Sequence, residues 1–244
     1  MKNIIYKITV TTSFIITFFI INRENLAKPH AHSPKWQEIL PEIGKELLPE
    51  KTREKMDKIF PSQQKQMEKK DGVEIYREDS HLQGKQSSPI KIYGKGKLEN
   101  VTTHNPVTIK EEAIIRNSKL NKVTVGSSLE AKKTTFQTLT VHGSATLKEC
   151  QVFDNTTIDG ELTADNNTFH GFLQILGKQA NLTNSKTADI KFSGSSSKKT
   201  LILEETEVKG NIIFEGRAGK VIIKEHSKIH GKIKNGRLET EGKS

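Results

Sequence analysis

The acidic side chains are the first candidates for catalysis, because glycoside hydrolysis needs two carboxyl groups about 5–10 Å apart. Glu130, Glu149 and Asp165 fall at similar positions of three successive sequence repeats, so they would stand near one another on one surface. Their offsets within the repeat differ by up to three residues, however, as expected for outward polar residues placed at random. We therefore predict no catalytic carboxylate pair and no enzymatic activity.

The histidines and the cysteine show no pattern typical of a metal site or a nucleophile. His226 and His230 lie four residues apart, but on a strand-turn-strand segment this spacing does not bring two ligands together. Cys150 is the only cysteine, so no intrachain disulfide forms. Its position among small polar residues predicts a buried structural thiol, with a nucleophile or an intermolecular link as the alternatives. We predict no metal and no cofactor.

Basic residues provide the one positive signal for binding. The net charge is +10, and from Arg217 onward eight basic residues face three acidic ones. This balance favours an anionic partner, although outward lysines on strands also prevent edge-to-edge aggregation. No aromatic residues interleave the stretch, which argues against nucleic-acid binding. The candidate residues for binding an anionic surface are Lys220, Lys224, Lys228, Lys232, Lys234 and Arg237.

A repeat of one apolar pattern must position all of these side chains. Its anchors are separated by 16, 16, 17, 17, 17 and 22 residues, and they are Ile109, Val125, Val141, Ile158, Ile175, Phe192 and Phe214. A fixed period below about 20 residues without helical spacing predicts a β-solenoid, in which each repeat forms one coil.

Within each repeat, small or apolar residues occur in pairs two positions apart. Such a pair is the inward face of a short strand, because successive side chains alternate between the two sides. Three pairs per repeat predict an all-β parallel β-helix of about eight short coils with a triangular cross-section, over residues 90–244. In this register four residues share one inward layer: Ile115, Leu147, Ala164 and Leu203.

Corners of the coils are marked by insertions, glycines and small polar residues. Insertions after Phe192 and around Arg217 are expected to form loops at one corner. Glycine recurs two residues after the anchor, where positive φ or a close backbone approach would require it. A column of small polar residues predicts an inward corner with a short Asn167–Asn184 stack; its members are Ser118, Thr134, Cys150, Asn167, Asn184 and Thr206.

The N-terminal third differs from the repeats. Ile8–Ile21 is a short uncharged segment behind lysines, and residues 1–27 are predicted to be a signal peptide or a membrane anchor. Residues 34–89 are predicted to be a helical leader and linker, with loop or partial disorder over residues 62–88. The leader is interpreted as a cap on the first coil, with a partner-binding helix as the alternative. We expect the protein to be exported to the periplasm, the cell envelope or the exterior of a bacterium.

The segments Leu139–Leu147, Thr157–Ala164 and Val208–Gly216 resemble the coils of bactofilins, and the resemblance covers residues 90–238. Bactofilins are bacterial polymer-forming scaffold proteins with a triangular β-helix, so the resemblance implies this fold and end-to-end assembly. The chain departs from the family in its predicted export signal and its leader.

Two functions follow from these observations. We predict an exported, non-catalytic structural or interaction protein whose partner is a second copy or an anionic envelope component, with membrane association possible through residues 8–21. The alternative is an exported carbohydrate-acting enzyme on a β-helix.

Overall fold

The computed structural model describes residues 67–195 and 198–240, and every regular element in them is a β-strand. The predicted export segment and the helical residues of the leader lie outside these ranges. The strands are β1 Met67–Lys70, β2 Val73–Tyr76, β3 Ser80–Lys85, β4 Ile90–Ile92, β5 Gly96–Thr103, β6 Val107–Ile109, β7 Ala113–Arg116, β8 Lys119–Val125, β9 Leu129–Lys132, β10 Thr135–Val141, β11 Ala145–Lys148, β12 Gln151–Val152 and β13 Thr156–Ile158. They continue with β14 Leu162–Asp165, β15 Thr168–Phe169, β16 Leu173–Ile175, β17 Gln179–Thr183, β18 Lys186–Thr187, β19 Ile190–Phe192, β20 Lys199–Glu204, β21 Glu207–Val208, β22 Ile212–Phe214, β23 Gly219–Ile223, β24 Lys228–Ile229, β25 Ile233–Lys234 and β26 Gly236–Thr240.

These strands stack in parallel on three faces of a solenoid of about ten coils. Face A holds β2, β4, β6, the ends of β8 and β10, β13, β16, β19, β22 and β25. Face B holds β3, the start of β5, β7, β9, β11, β14, β17, β20, β23 and β26. Face C holds the end of β5, the starts of β8 and β10, β12, β15, β18, β21 and β24. The predicted fold class is confirmed.

The coils begin earlier in the chain than the repeat pattern indicated. Residues 62–88 were predicted to be loop, but β2 pairs with β4 and β3 pairs with β5 in the same parallel manner as later coils. This corrects the loop assignment and the count of about eight coils. The first coils escaped the pattern because few large apolar residues fill them; of β3, only Leu82 is buried.

The core is one column of buried apolar side chains inside the three faces. Ile115, Leu147, Ala164 and Leu203 lie on face B in a single pairing register and are at most 1% exposed. The predicted inward layer is therefore confirmed. Each coil contributes the same inward positions and contacts only the coil before it and the coil after it. Burial of apolar surface between neighbouring coils therefore stabilises the stack.

The corner between faces B and C repeats one two-residue arrangement in the coils from Asn100 to His226. The first residue has a left-handed backbone conformation, and these residues are Asn100, Asn117, Lys133, Glu149, Asn166, Asn184, Glu205 and His226. The second residue points inward, and from Ser118 onward its side chain accepts a hydrogen bond from the backbone N–H of the coil before. Asn167, for example, receives the N–H of Cys150 at 2.8 Å and gives its own N–H to Ser185 Oγ at 3.1 Å.

This side-chain ladder explains the polar column found in the sequence. An N–H turned into the core by the left-handed residue would be costly without a partner, and the neighbouring coil supplies one. Ser118, Thr134, Asn167 and Thr206 are buried there as predicted. Asn184 was wrongly assigned to the column: it is the left-handed residue of its corner, and Ser185 is the inward one. No Asn167–Asn184 stack exists.

The two predicted insertions lie at the corner between faces A and B, one between β19 and β20 and one between β22 and β23. Two of the recurrent glycines there are explained by close approach of stacked backbones. A Cβ atom on Gly177 would lie 2.0 Å from the carbonyl oxygen of Gly160, and one on Gly194 would lie 1.7 Å from that of Leu176. Only Gly216 in this series has positive φ, at 74°.

Candidate functional site

The six predicted basic residues surround the last coils of the solenoid. Lys220 and Arg237 lie on face B, Lys228 on face C and Lys234 on face A. Lys224 and Lys232 lie at the two corners that flank face C. The structure therefore brings together only neighbouring pairs, and the set forms a basic collar rather than one patch. The basic collar therefore consists of these six residues.

Some positive charge of the basic collar is already balanced. Lys220 forms an ion pair with Glu239, and Arg237 Nε lies 3.1 Å from the same carboxylate. The pKa of the Glu239 carboxyl is lowered by its hydrogen bond with Lys220. Over residues 220–240 six basic residues still face only two acidic ones, so the collar remains positive.

At the basic collar, no described residue covers the C-terminal end of the solenoid. Strands β24, β25 and β26 each pair only with the coil before them, so one edge of each is unpaired. Ile229 and Ile233 are only partly buried, and Leu238 is 52% exposed although it occupies an inward column. Apolar surface and free backbone groups at a strand edge are a template for another chain.

The N-terminal end is finished differently. Here β1 turns back through Asp71 and Gly72 and pairs antiparallel with β2, and Arg77 contacts Glu68 at 2.8 Å. On the adjoining face B, β3 pairs only with β5 among the described residues, so its outer edge is also unpaired. Residues 67–79 carry five acidic and three basic residues, the opposite balance to the basic collar.

The three candidate catalytic carboxylates lie at different positions within their coils, and each forms an ion pair with a basic residue. Glu130 contacts Arg116 at 3.2 Å, and Asp165 contacts Lys148 at 3.0 Å, both on face B. Glu149 is the left-handed corner residue of its coil and lies 3.7 Å from Lys133.

Two shallow open concavities occur on the described surface. One, of about 330 Å³, lies on face B and is lined by Glu112, Ala113, Ile114, Ser128, Leu129, Glu130, Ser144 and Thr146. The other, of about 320 Å³, lies on face C near the last coils and is lined by Lys186, Glu205, Thr206, Glu207, His226, Lys228 and His230. Both are open to solvent, and neither encloses a ligand-sized cavity.

Cys150 is buried as predicted and belongs to the corner ladder. Burial raises the pKa of its thiol to about 11, and backbone hydrogen bonds with Thr134 and Lys148 offset this only in part. A thiol of this kind is neutral and inert at physiological pH.

One group of side chains escaped the sequence analysis. Glu205, Glu225 and His226 come together at the corner between faces B and C, near the basic collar. Spacing along the chain does not indicate this group, because Glu205 and His226 occupy the same left-handed position of two stacked coils. Alignment of the corner column across the longer repeat would have placed them side by side.

Comparison with protein-family models, curated proteins and solved structures finds no match to this chain. Within residues 67–195 and 198–240, no helix is long and apolar enough to cross a membrane.

Proposed function

We propose that this protein is an exported, non-catalytic scaffold whose rod assembles by docking the C-terminal coil of one copy onto the N-terminal coils of the next. The observation that carries the proposal is the open C-terminal end, where three strand edges and Leu238 remain uncovered among the described residues. Covering such an end removes apolar surface from water and pairs backbone groups.

A second copy is the favoured occupant because its N-terminal end complements this surface. Strands β26 and β3 lie on the same face, and each has one unpaired edge. Stacking by simple translation would place them parallel, as in every other pair on face B. The acidic excess of residues 67–79 would meet the basic collar, and opposite charges favour this orientation over contact between two like ends.

Other features support the scaffold role. The coils resemble those of bactofilins, which form polymers, and the solenoid places no unpaired carboxylate pair among the three acidic residues weighed for catalysis. Export is supported by the uncharged segment Ile8–Ile21 behind two lysines. An anionic envelope polymer is the alternative occupant of the basic collar.

Sedimentation velocity of the purified chain at low and high salt tests the proposal. We expect concentration-dependent species larger than a monomer at low salt, which dissociate as added salt screens the charges of the collar. Leu238→Asp should keep the protein monomeric. The matched control is Ile114→Asp, which changes an outward residue of face B in the middle of the rod, 38% exposed, and should assemble normally.

A wild-type chain that remains monomeric at high concentration and low salt would contradict self-assembly. Equal behaviour of Leu238→Asp and Ile114→Asp would show that the C-terminal end is not the contact. If the monomer instead binds vesicles or polymers of an anionic envelope component, and loses this binding when the basic collar is neutralised, the alternative occupant is correct.

A further inference from the structure

Two carboxylates and an imidazole meet on the surface of the last complete coils. Glu205, Glu225 and His226 are exposed, and one ligand atom from each lies within 4.8 Å of the others. Oxygen and nitrogen donors of these types are common ligands of divalent transition metals. The cluster combines two residue types from two different coils, so it is not a run of acidic residues along the chain.

The backbone of the corner holds these side chains in place. Glu205 and His226 have left-handed φ values of 48° and 50°, which direct both side chains outward from stacked positions. The N–H of Glu205 donates to the carbonyl of Glu225 at 2.8 Å, and the N–H of Thr206 donates to Ser227 Oγ at 3.1 Å. Flanking strands β20 and β23 pair over five residues. The relative positions of the ligands therefore follow from the solenoid itself.

Charge balance distinguishes this cluster from three other described histidines. His81, His142 and His230 each contact a carboxylate of a neighbouring coil, at 3.0, 2.8 and 3.1 Å respectively. The side chains of the cluster form no hydrogen bond or ion pair with any described residue. Two negative charges held so close together repel each other unless a cation lies between them.

The distances between the three ligand atoms fit coordination of one shared ion better than direct hydrogen bonds between the side chains. Hydrogen-bonded atoms lie about 2.7–3.2 Å apart, and the three donors are not bonded to one another. Zinc bonds to nitrogen and oxygen are about 2.0–2.2 Å long, so two ligands of one ion lie roughly 3–4 Å apart. Small rotations of exposed side chains would bring the atoms from within 4.8 Å to this range.

We propose that Glu205, Glu225 and His226 form a binding site for a divalent transition-metal ion, with Zn²⁺ as the reference ion. Three protein ligands leave at least one coordination position for water or an anion. Glu205 and His226 line the concavity on face C together with Lys186 and Lys228. Glu207 is engaged with His230 at 3.1 Å and is not counted as a ligand.

The ion would link two successive coils at the corner next to the open end. Glu205 follows β20, whereas Glu225 and His226 follow β23, so coordination ties the last two complete turns of this corner together. Because the ion binds only the folded arrangement, it would stabilise these coils against local unfolding.

Calorimetric titration of the untagged full chain with Zn²⁺ tests the site, with thermal unfolding as a second readout. We expect one ion per chain, an increase in Tm that a chelator reverses, and no effect of Mg²⁺.

His226→Gln and Glu225→Gln should each weaken Zn²⁺ binding about tenfold or more, and both replace exposed side chains, so the fold should persist. His142→Gln is the matched control, since it removes another exposed histidine of a neighbouring-coil pair and should bind Zn²⁺ like the wild type. Absence of saturable binding would overturn the proposal, as would unchanged affinity in His226→Gln or an equal loss in His142→Gln. None of these results depends on self-assembly, which the Leu238→Asp comparison tests separately.

Discussion

The two ends of the solenoid differ in how the edges of their last strands are covered. At the N-terminal end β1 reverses direction and covers the edge of β2, so the parallel stack stops on face A. At the C-terminal end the stack stops without a reversal in the described residues, and Leu238 occupies an inward column with no coil beyond it. A repeating architecture has no intrinsic end, so whatever finishes it has to be supplied by a special segment or by another molecule.

The largest effect should separate the middle of the rod from its open end. Leu147→Asp should destabilise the fold by about 3–5 kcal/mol, because the charge would be buried without a partner. Leu238→Asp also changes an inward column, but the residue is 52% exposed and its replacement should cost less than about 1 kcal/mol. Urea unfolding of both variants measures the difference, and similar costs would mean that the end is covered like the middle.

The corner ladder gives a second, smaller contrast between the same regions. Ser185→Ala removes the acceptor of the Asn167 N–H inside the rod, which should cost about 1–3 kcal/mol. Ser227→Ala removes the acceptor of the Thr206 N–H in the last coil, where water can take its place, and should cost under about 1 kcal/mol. Unfolding free energies of the two variants decide this; a larger loss for Ser227→Ala would contradict an open end.

Most of the solenoid was predictable because its core positions repeat with few exceptions. The inward layer through Leu147 and Leu203 followed from the alternation of side chains along short strands, and the structure confirms it. The error at Asn184 came from one coil in which Ile175 and Phe192 keep a spacing of 17 residues. In that coil one extra residue follows Gly177 and shifts the register by one position. The unchanged spacing of 17 residues between Ile175 and Phe192 conceals this shift.

The two ends of the solenoid and the cluster at Glu205 could not be predicted from the repeat of core positions. Residues 67–85 form strands although they provide little apolar pattern, because pairing with an existing coil supplies the stabilisation that their own sequence lacks. Glu205 and His226 are 21 residues apart, which matches no local motif. Only the register of stacked corners brings them together, and the inserted loops disturb that register in the sequence.

Cys150 provides a chemical contrast between the interior and the end. Burial raises its thiol pKa to about 11, so the folded state favours the neutral thiol. Stability linked to this group should be complete below the ordinary thiol pKa, near 8.5, and should decline as the pH rises toward 11.

At pH 8 we therefore expect slow labelling of native Cys150 by a thiol reagent and rapid labelling after unfolding in urea. Glu239→Cys in a Cys150→Ser background is the comparison at the end of the rod and should react rapidly in the native state, since Glu239 is partly exposed and faces outward on β26. Equal rates for the two native thiols would show that the corner ladder opens readily in solution.

Directed cross-linking tests the central claim, that the C-terminal coil of one copy docks on the N-terminal coils of the next. His81 and Glu239 are the first and last members of one outward column of face B, which runs through Lys97, Ile114, Glu130, Thr146, Thr163, Asn181, Ile202 and Ile222. In head-to-tail stacking these two residues of adjacent copies would be neighbours about 4.8 Å apart, within the range for a disulfide.

In a Cys150→Ser background, a chain with both His81→Cys and Glu239→Cys should therefore give a ladder of disulfide-linked oligomers under mild oxidation. Each single cysteine variant should form few disulfide-linked oligomers. A double variant that forms no oligomers, or a Glu239→Cys single variant that forms dimers as readily, would contradict the head-to-tail account.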